Sequence, residues 1–191
     1  MNINKAIRKQ KKSIKRFMLS MGFIFILLPT AAYVSKISSL FLLIYLILIE
    51  VFIIAVVLVR LNRETLKFQY VSRLKIQNGI LGDNYSIECN KVRAVHSINR
   101  GKALEIVVIL KSRFRNKNIK KVDSNFLKNN SWADIYCKDI KEDSKTEYYY
   151  IIINRGGYIK YKFLDSLYRN CTRADFTEEA IKRIKEYRIK E

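Results

Sequence analysis

One proline, one histidine, one tryptophan and six glycines are all that 191 residues contain of these types. That scarcity excludes collagen-like and Gly/Pro-rich low-complexity chains. Three cysteines, Cys89, Cys137 and Cys171, are too few and too far apart for a disulfide framework. With a single His beside them, they also argue against a structural zinc site and imply no cofactor. Acids are scarce as well: 17 Asp+Glu face 37 Lys+Arg, a net charge of +20. Disorder does not fit a chain that is 49% hydrophobic and 12% aromatic. At this length one compact domain and one appendage are expected.

The apolar residues are concentrated near the N-terminus. Phe17–Val34 carries no charge, and Leu40–Leu61 carries only Glu50 and Arg60. A helix rises about 1.5 Å per residue and the hydrocarbon core is about 30 Å thick. The second run crosses with length to spare and the first crosses narrowly. The short link Ser35–Ser39 makes them antiparallel, so residues 17–61 are expected to form a transmembrane hairpin with spans at 17–34 and 40–61. Pro29 is expected to bend the first helix. The alternative for the first run is a cleaved signal peptide, with small residues at Pro29-Thr-Ala-Ala32.

Residues 1–16 form a basic N-terminus, with seven Lys or Arg and no acid. Arg60, Arg63, Lys67, Arg73 and Lys75 follow the second run, whereas the link holds only Lys36. Positive flanks stay on the cytoplasmic side. Both termini are therefore expected in the cytoplasm, and the protein in the cell (inner) membrane as a multi-pass protein. Unpaired thiols would suit that reducing compartment.

Glu50 falls near the middle of the second span. A carboxylate at that depth costs on the order of 3 kcal/mol, so it must be neutralised, paired or turned toward protein. The first span offers no cation at that level. Either Glu50 makes an intramembrane contact with a second copy, a partner's helix or a pore, or it bonds to backbone or Tyr45.

Residues 62–191 hold 28 Lys+Arg against 16 Asp+Glu and make one cytosolic domain. Period-two alternation predicts strands at Tyr85–Cys89, Trp132–Cys137 and Tyr158–Phe163. Leu104–Leu110 and Tyr148–Ile153 read as central strands. Turns are signalled at Asn78-Gly79, Gly82–Asn84 and Asn154–Gly157, the last as a hairpin. About seven strands from Leu66 to Phe163 suggest a barrel or sandwich. Leu164–Asn170 suits a short helix. Residues 176–189 read as an amphipathic C-terminal helix, with Asp175 and Glu178 as its capping pair.

Catalytic chemistry is not evident. His96 has no nucleophile beside it and reads as a strand residue. Cys89 and Cys137 read as packed core thiols. Asn154–Gly157 does not have the P-loop pattern. Asp139, Glu142 and Asp143 are interrupted by lysine and read as a solvated loop. The chain is therefore expected not to be an enzyme.

The most unusual polar stretch is 111–121, where Lys111, Arg113, Arg115, Lys117, Lys120 and Lys121 make six of eleven residues basic. Such a cluster attracts anionic lipid headgroups, at about 1 kcal/mol per cation close to the surface. It equally attracts phosphate-bearing ligands, or simply guards a strand edge. Only Phe114 offers a stacking ring, which argues against nucleic acid.

Consecutive strands closed by one amphipathic helix resemble the pleckstrin-homology-like superfold. The resemblance is carried by Lys75–Gly82, Tyr85–Ile87 and Val92–Val95, and covers about residues 66–190. It is similar to bacterial membrane proteins in which a helical hairpin precedes such a domain. Residues 111–146 depart from it by being long and irregular. The resemblance implies a headgroup- or protein-binding module. Antiviral effectors that join two membrane helices to a cyclic-nucleotide-binding barrel are a second resemblance in plan, without their aromatic strand motifs. The expected function is thus a membrane-surface scaffold or interaction module for membrane lipid or an acidic partner, able to pair with itself or another membrane protein. The alternatives are a ligand-gated membrane effector and a subunit of a secretion or transfer complex.

Overall fold

The computed structural model describes residues 3–35, 40–100, 103–137 and 147–189. Two long helices come first, α1 (Ile3–Val34) and α2 (Leu40–Glu64). Residues 3–16, read above as a separate basic terminus, are the opening turns of α1. Lys, Arg, Gln, Ala and Ile favour helix, and no Gly or Pro interrupts before Gly22. The helix continues through Pro29, and the Thr30 hydroxyl donates to the Ile26 and Leu27 carbonyls at 3.0 and 2.8 Å. The link at 36–39 and the acidic cluster Asp139, Glu142 and Asp143 lie outside the described residues.

Both helices are long and apolar enough to cross a bilayer, and their most apolar windows are only 0% and 6% buried within the protein. A soluble core helix would be mostly covered. What they do share is one stripe. Ile14, Phe17, Met21, Leu28 and Ala32 of α1 are partly buried, as are Leu46, Ile49, Glu50, Val56, Val57 and Arg60 of α2, with Ile53 buried. Steps of three, four and seven keep such residues on one helix face.

Only Thr65 separates α2 from the first strand. Strands β1 (Leu66–Tyr70), β2 (Leu74–Asn78) and β3 (Asn84–Ile87) form an antiparallel sheet in that order. The second sheet contains β4 (Val92–Arg100), β5 (Ala103–Leu110), β6 (Lys120–Lys121), β7 (Tyr149–Ile153) and β8 (Asp175–Phe176), in the order β6-β7-β5-β4-β8. Its last pair, β4 with β8, is parallel. The sheets are open: the region is β-rich, but no barrel closes.

Among the described residues, four α-helices complete the domain: α3 (Ser124–Asn129), α4 (Ala133–Tyr136), α5 (Ile159–Asn170) and α6 (Glu178–Arg188). The strand expected at Trp132–Cys137 is α4 and its C-cap Cys137, where Ala133 and Cys137, four apart, are buried and Ile135 is exposed. The strand expected at Tyr158–Phe163 opens α5, so Asn154–Gly157 joins a strand to a helix and is not a hairpin. The helix foreseen at Leu164–Asn170 is the second half of α5. In α6 the cap is Thr177, whose hydroxyl accepts the Ala180 N–H at 3.4 Å. Asp175 lies in β8 and pairs with Arg93 at 3.0 Å.

One core lies between the sheets and α5/α6, built on Leu74, Ile76, Ile87, Ile106, Val108, Phe163, Leu164 and Ile184. A second, on the other face of the larger sheet, packs Val107 and Ile109 against Phe126, Ala133 and Cys137. Asp165, buried on α5, pairs with Arg169 at 2.7 Å and with Arg188 of α6 at 2.6 Å. Cys89 and Cys171 form a disulfide, while Cys137 is buried outside it. The expectation of unpaired thiols is thereby overturned for two of the three. The cause is spatial: the turn before β4 meets the end of α5.

Candidate functional site

Strand register gives the domain a near and a far end relative to the helices. Leu66 pairs with Asn78 and Ile106 with Ile153 at the near end. Tyr70 pairs with Leu74 and Leu110 with Tyr149 at the far end. The near end is bonded to the helix bases. Gly156 N–H donates to the Arg63 carbonyl at 2.9 Å. Asn62 Oδ1 accepts from Arg155 Nη1 at 2.9 Å and from the Leu81 N–H at 3.2 Å. Gln10 of α1 bonds to Glu64 and accepts the Tyr158 N–H at 2.9 Å.

The basic segment leaves β5 at the far end. Lys111, Arg113 and Arg115 line one open cleft of about 830 Å³, together with Arg73, Phe114, Glu147 and Tyr149. The loop is held in a defined shape. Phe114 and Arg115 both have left-handed backbone, at φ 51° and 53°. For non-glycine residues this costs of order 1–3 kcal/mol each and persists only where neighbours enforce it. Here Ser112 Oγ accepts the Phe114 N–H at 3.4 Å, and Asn116 Nδ2 donates to the Asn84 carbonyl at 2.7 Å. Phe114 packs on the main core.

The acid in the cleft is already engaged. Glu147 accepts from Lys121 Nζ and from the Tyr149 hydroxyl, both at 2.6 Å. These bonds, with the Lys121 charge, hold its carboxyl below the usual range and push the Tyr149 phenol up. Arg73 pairs with Glu88 at 2.8 Å. Lys111, Arg113 and Arg115 make no ion pair among the described residues. Their positive field is open to solvent and suited to carboxylate or phosphate.

The six expected residues therefore separate. Lys121 is committed to Glu147, Lys120 lines a neighbouring recess beside Asn118 and Tyr150, and Lys117 is exposed outside the cleft. Arg73 was not foreseen. Its signal was there, in two alternating runs, Leu66–Tyr70 and Leu74–Asn78, separated by three residues that imply a tight turn carrying one cation.

Glu50 stands on the α2 face turned to α1. Both its carboxyl oxygens are shielded and have no hydrogen-bond partner among the described residues, neither backbone nor Tyr45. His96 lies in β4, buried and stacked on Trp132 at 4.1 Å, with Nδ1 2.8 Å from Thr177 Oγ1. Burial pushes its imidazole down, and Glu179 at 3.7 Å opposes that only partly. A base depressed on folding supports stability above its unfolded value of 6.5, and that support is lost as pH falls through the folded value. His96→Gln is expected to flatten the acid side of a stability–pH curve, measured by thermal melts of the full chain. No cluster of three His, Cys, Asp or Glu suited to a metal occurs among the described residues. Comparison with known proteins returns no family model, no curated protein and no solved structure that matches this chain.

Proposed function

We propose that the chain is a non-enzymatic integral membrane protein of the bacterial inner membrane, with both termini cytoplasmic. Its two long helices cross the bilayer as a hairpin, and the β-rich domain works as an interaction module at the membrane surface. The basic flanks of the spans support this orientation; cysteine pairing does not. The pleckstrin-homology-like resemblance suggests a binding module, although the two open sheets do not close that plan's barrel.

The observation that carries the reading is the far-end cleft, where Lys111, Arg113 and Arg115 make no ion pair among the described residues. Tyr149 to Ile153 is five residues, so the cleft stands roughly 15 Å along β7 from the end that meets the helices. The Debye length at physiological salt is about 8 Å. Headgroups at the base of the hairpin are thus largely screened from Arg113 and Arg115. An acidic segment of a protein partner fits better, because the cleft is open and polar where small-molecule pockets are enclosed and apolar. Tethering raises the effective concentration of module and partner at the membrane.

The test is fluorescence anisotropy of a labelled glutamate-rich peptide with the detergent-solubilised full chain. Binding should weaken with added salt, and Arg113→Gln with Arg115→Gln should weaken it roughly tenfold, at up to about 1 kcal/mol per exposed pair. Unchanged affinity in that variant would remove the proposal. A second reading, a ligand-gated membrane effector, is favoured by one observation: Glu50, with no hydrogen-bond partner among the described residues, faces the other helix. It expects a thermal shift with cyclic nucleotides and toxicity on overexpression, the latter relieved by Glu50→Gln.

A further inference from the structure

A second basic cleft lies where the helices meet the domain. Lys5, Lys9 and Ser13 recur every four residues and form one column on α1. With Arg60 of α2 and the Gly157–Tyr158 turn they line a cleft of about 590 Å³. Its depth is fixed by Arg60, whose guanidinium carbon lies 5.7 Å over the ring of Phe17, the first residue of the apolar run. Arg60 therefore marks the level at which both spans leave the hydrocarbon. Ser13 is one turn further out, about 6 Å, and Lys9 about 12 Å. The headgroup layer occupies about 5–8 Å on each side, and lysine side chains reach back along their stems.

Arg60 is incompletely satisfied. Its Nη2 is 3.5 Å from Glu64, whose carboxylate also takes the Gln10 amide. Its Nε is shielded and has no hydrogen-bond partner among the described residues. A shielded guanidinium N–H without an acceptor, beside Lys9 whose stem reaches back toward the headgroups, fits a missing anion. Ala6 and the Tyr158 ring add apolar wall. We propose that this cleft binds the phosphodiester headgroup of an anionic phospholipid of the cytoplasmic leaflet, with Arg60 and Lys9 as the cations that hold it. The proposal shares the membrane hairpin with the function above but does not depend on the far-end cleft.

The experiment is native mass spectrometry of the full chain in detergent, offered phosphatidylglycerol or phosphatidylcholine of equal chain length. Phosphatidylglycerol should be retained preferentially. Lys9→Gln with Arg60→Gln should lower its apparent affinity roughly 25-fold, at about one fivefold step per cation. Arg113→Gln with Arg115→Gln should leave it unchanged. Lys9→Glu alone, at an exposed position, should also lower retention and guards against misfolding of the Arg60 variant. Free glycerol phosphate should not displace the lipid. Equal retention of the two lipids, full retention by the double and Lys9→Glu variants, or displacement by glycerol phosphate would each overturn the assignment.

Discussion

Cys171→Ser is expected to lower the unfolding free energy by about 4 kcal/mol under oxidising conditions, and by far less in reductant. The two sulfurs close a loop of 82 residues, and a cross-link of that span removes about that much chain entropy from the unfolded state. For a domain of this size the loss corresponds to roughly 10–20 °C in Tm. Melts of the full chain with and without reductant, parent against variant, measure it. The same pair tests the orientation. In the proposed topology it faces a reducing cytoplasm, where Cys89 and Cys171 are expected as adjacent thiols that close on oxidation. Alkylation of acid-quenched growing cells reads their state directly. A pair already oxidised there would put the domain on the other side of the membrane.

Gly156→Ala is expected to cost about 4 kcal/mol, from left-handed strain and overpacking together. Gly156 has φ +102°, and an added Cβ would sit 2.3 Å from Leu66 Cβ. Leu66 is buried at the first position of β1, so it has little room to yield. The N–H of Gly156 also makes the bond to Arg63 that ties the domain to α2. Loss of stability should therefore come with proteolytic cleavage at the α2–β1 junction. Gly22→Ala is the control, since nothing lies within 4 Å of its added Cβ and alanine favours the helix, so stability should not fall.

The long apolar helices and the central strands β5 and β7 were readable as unbroken apolar runs, and the C-terminal helix by its unbroken helical period. The first half of α5 was not, and Lys160 is the reason. Residues 160, 163, 164 and 167 form its buried face. A lysine at the first of these hides the helical period and leaves the alternation of Ile159, Tyr161 and Phe163 in view. Lys160 is 2% exposed, and its ammonium donates to the carbonyls of Leu104 and Asn154, the latter at 2.9 Å. Burial pushes its pKa down, against Glu105 and Glu64. A buried cation satisfied by backbone carbonyls leaves no mark in a hydropathy pattern. Likewise, charge alone located Lys111, Arg113 and Arg115, but only strand register shows that they share a cleft with Arg73 and that this cleft lies away from the hairpin. The disulfide was hidden for the same reason, since its halves meet only after α5 packs.

A connection one residue long also sets where the cleft can look. Thr65 is the whole of the joint, and Asn62, Gln10 and Arg63 are bonded across it, which couples the domain's orientation to α2. Rolling α2 about its axis turns the cleft like the hand of a dial. In the proposed topology, whichever neighbour the lipid-facing side of α2 selects thereby fixes the compass bearing of Arg113 and Arg115. Two copies side by side would then hold their clefts at one constant separation, as a caliper does. A ligand with acidic groups at that spacing would engage both, and the second engagement would gain from the first.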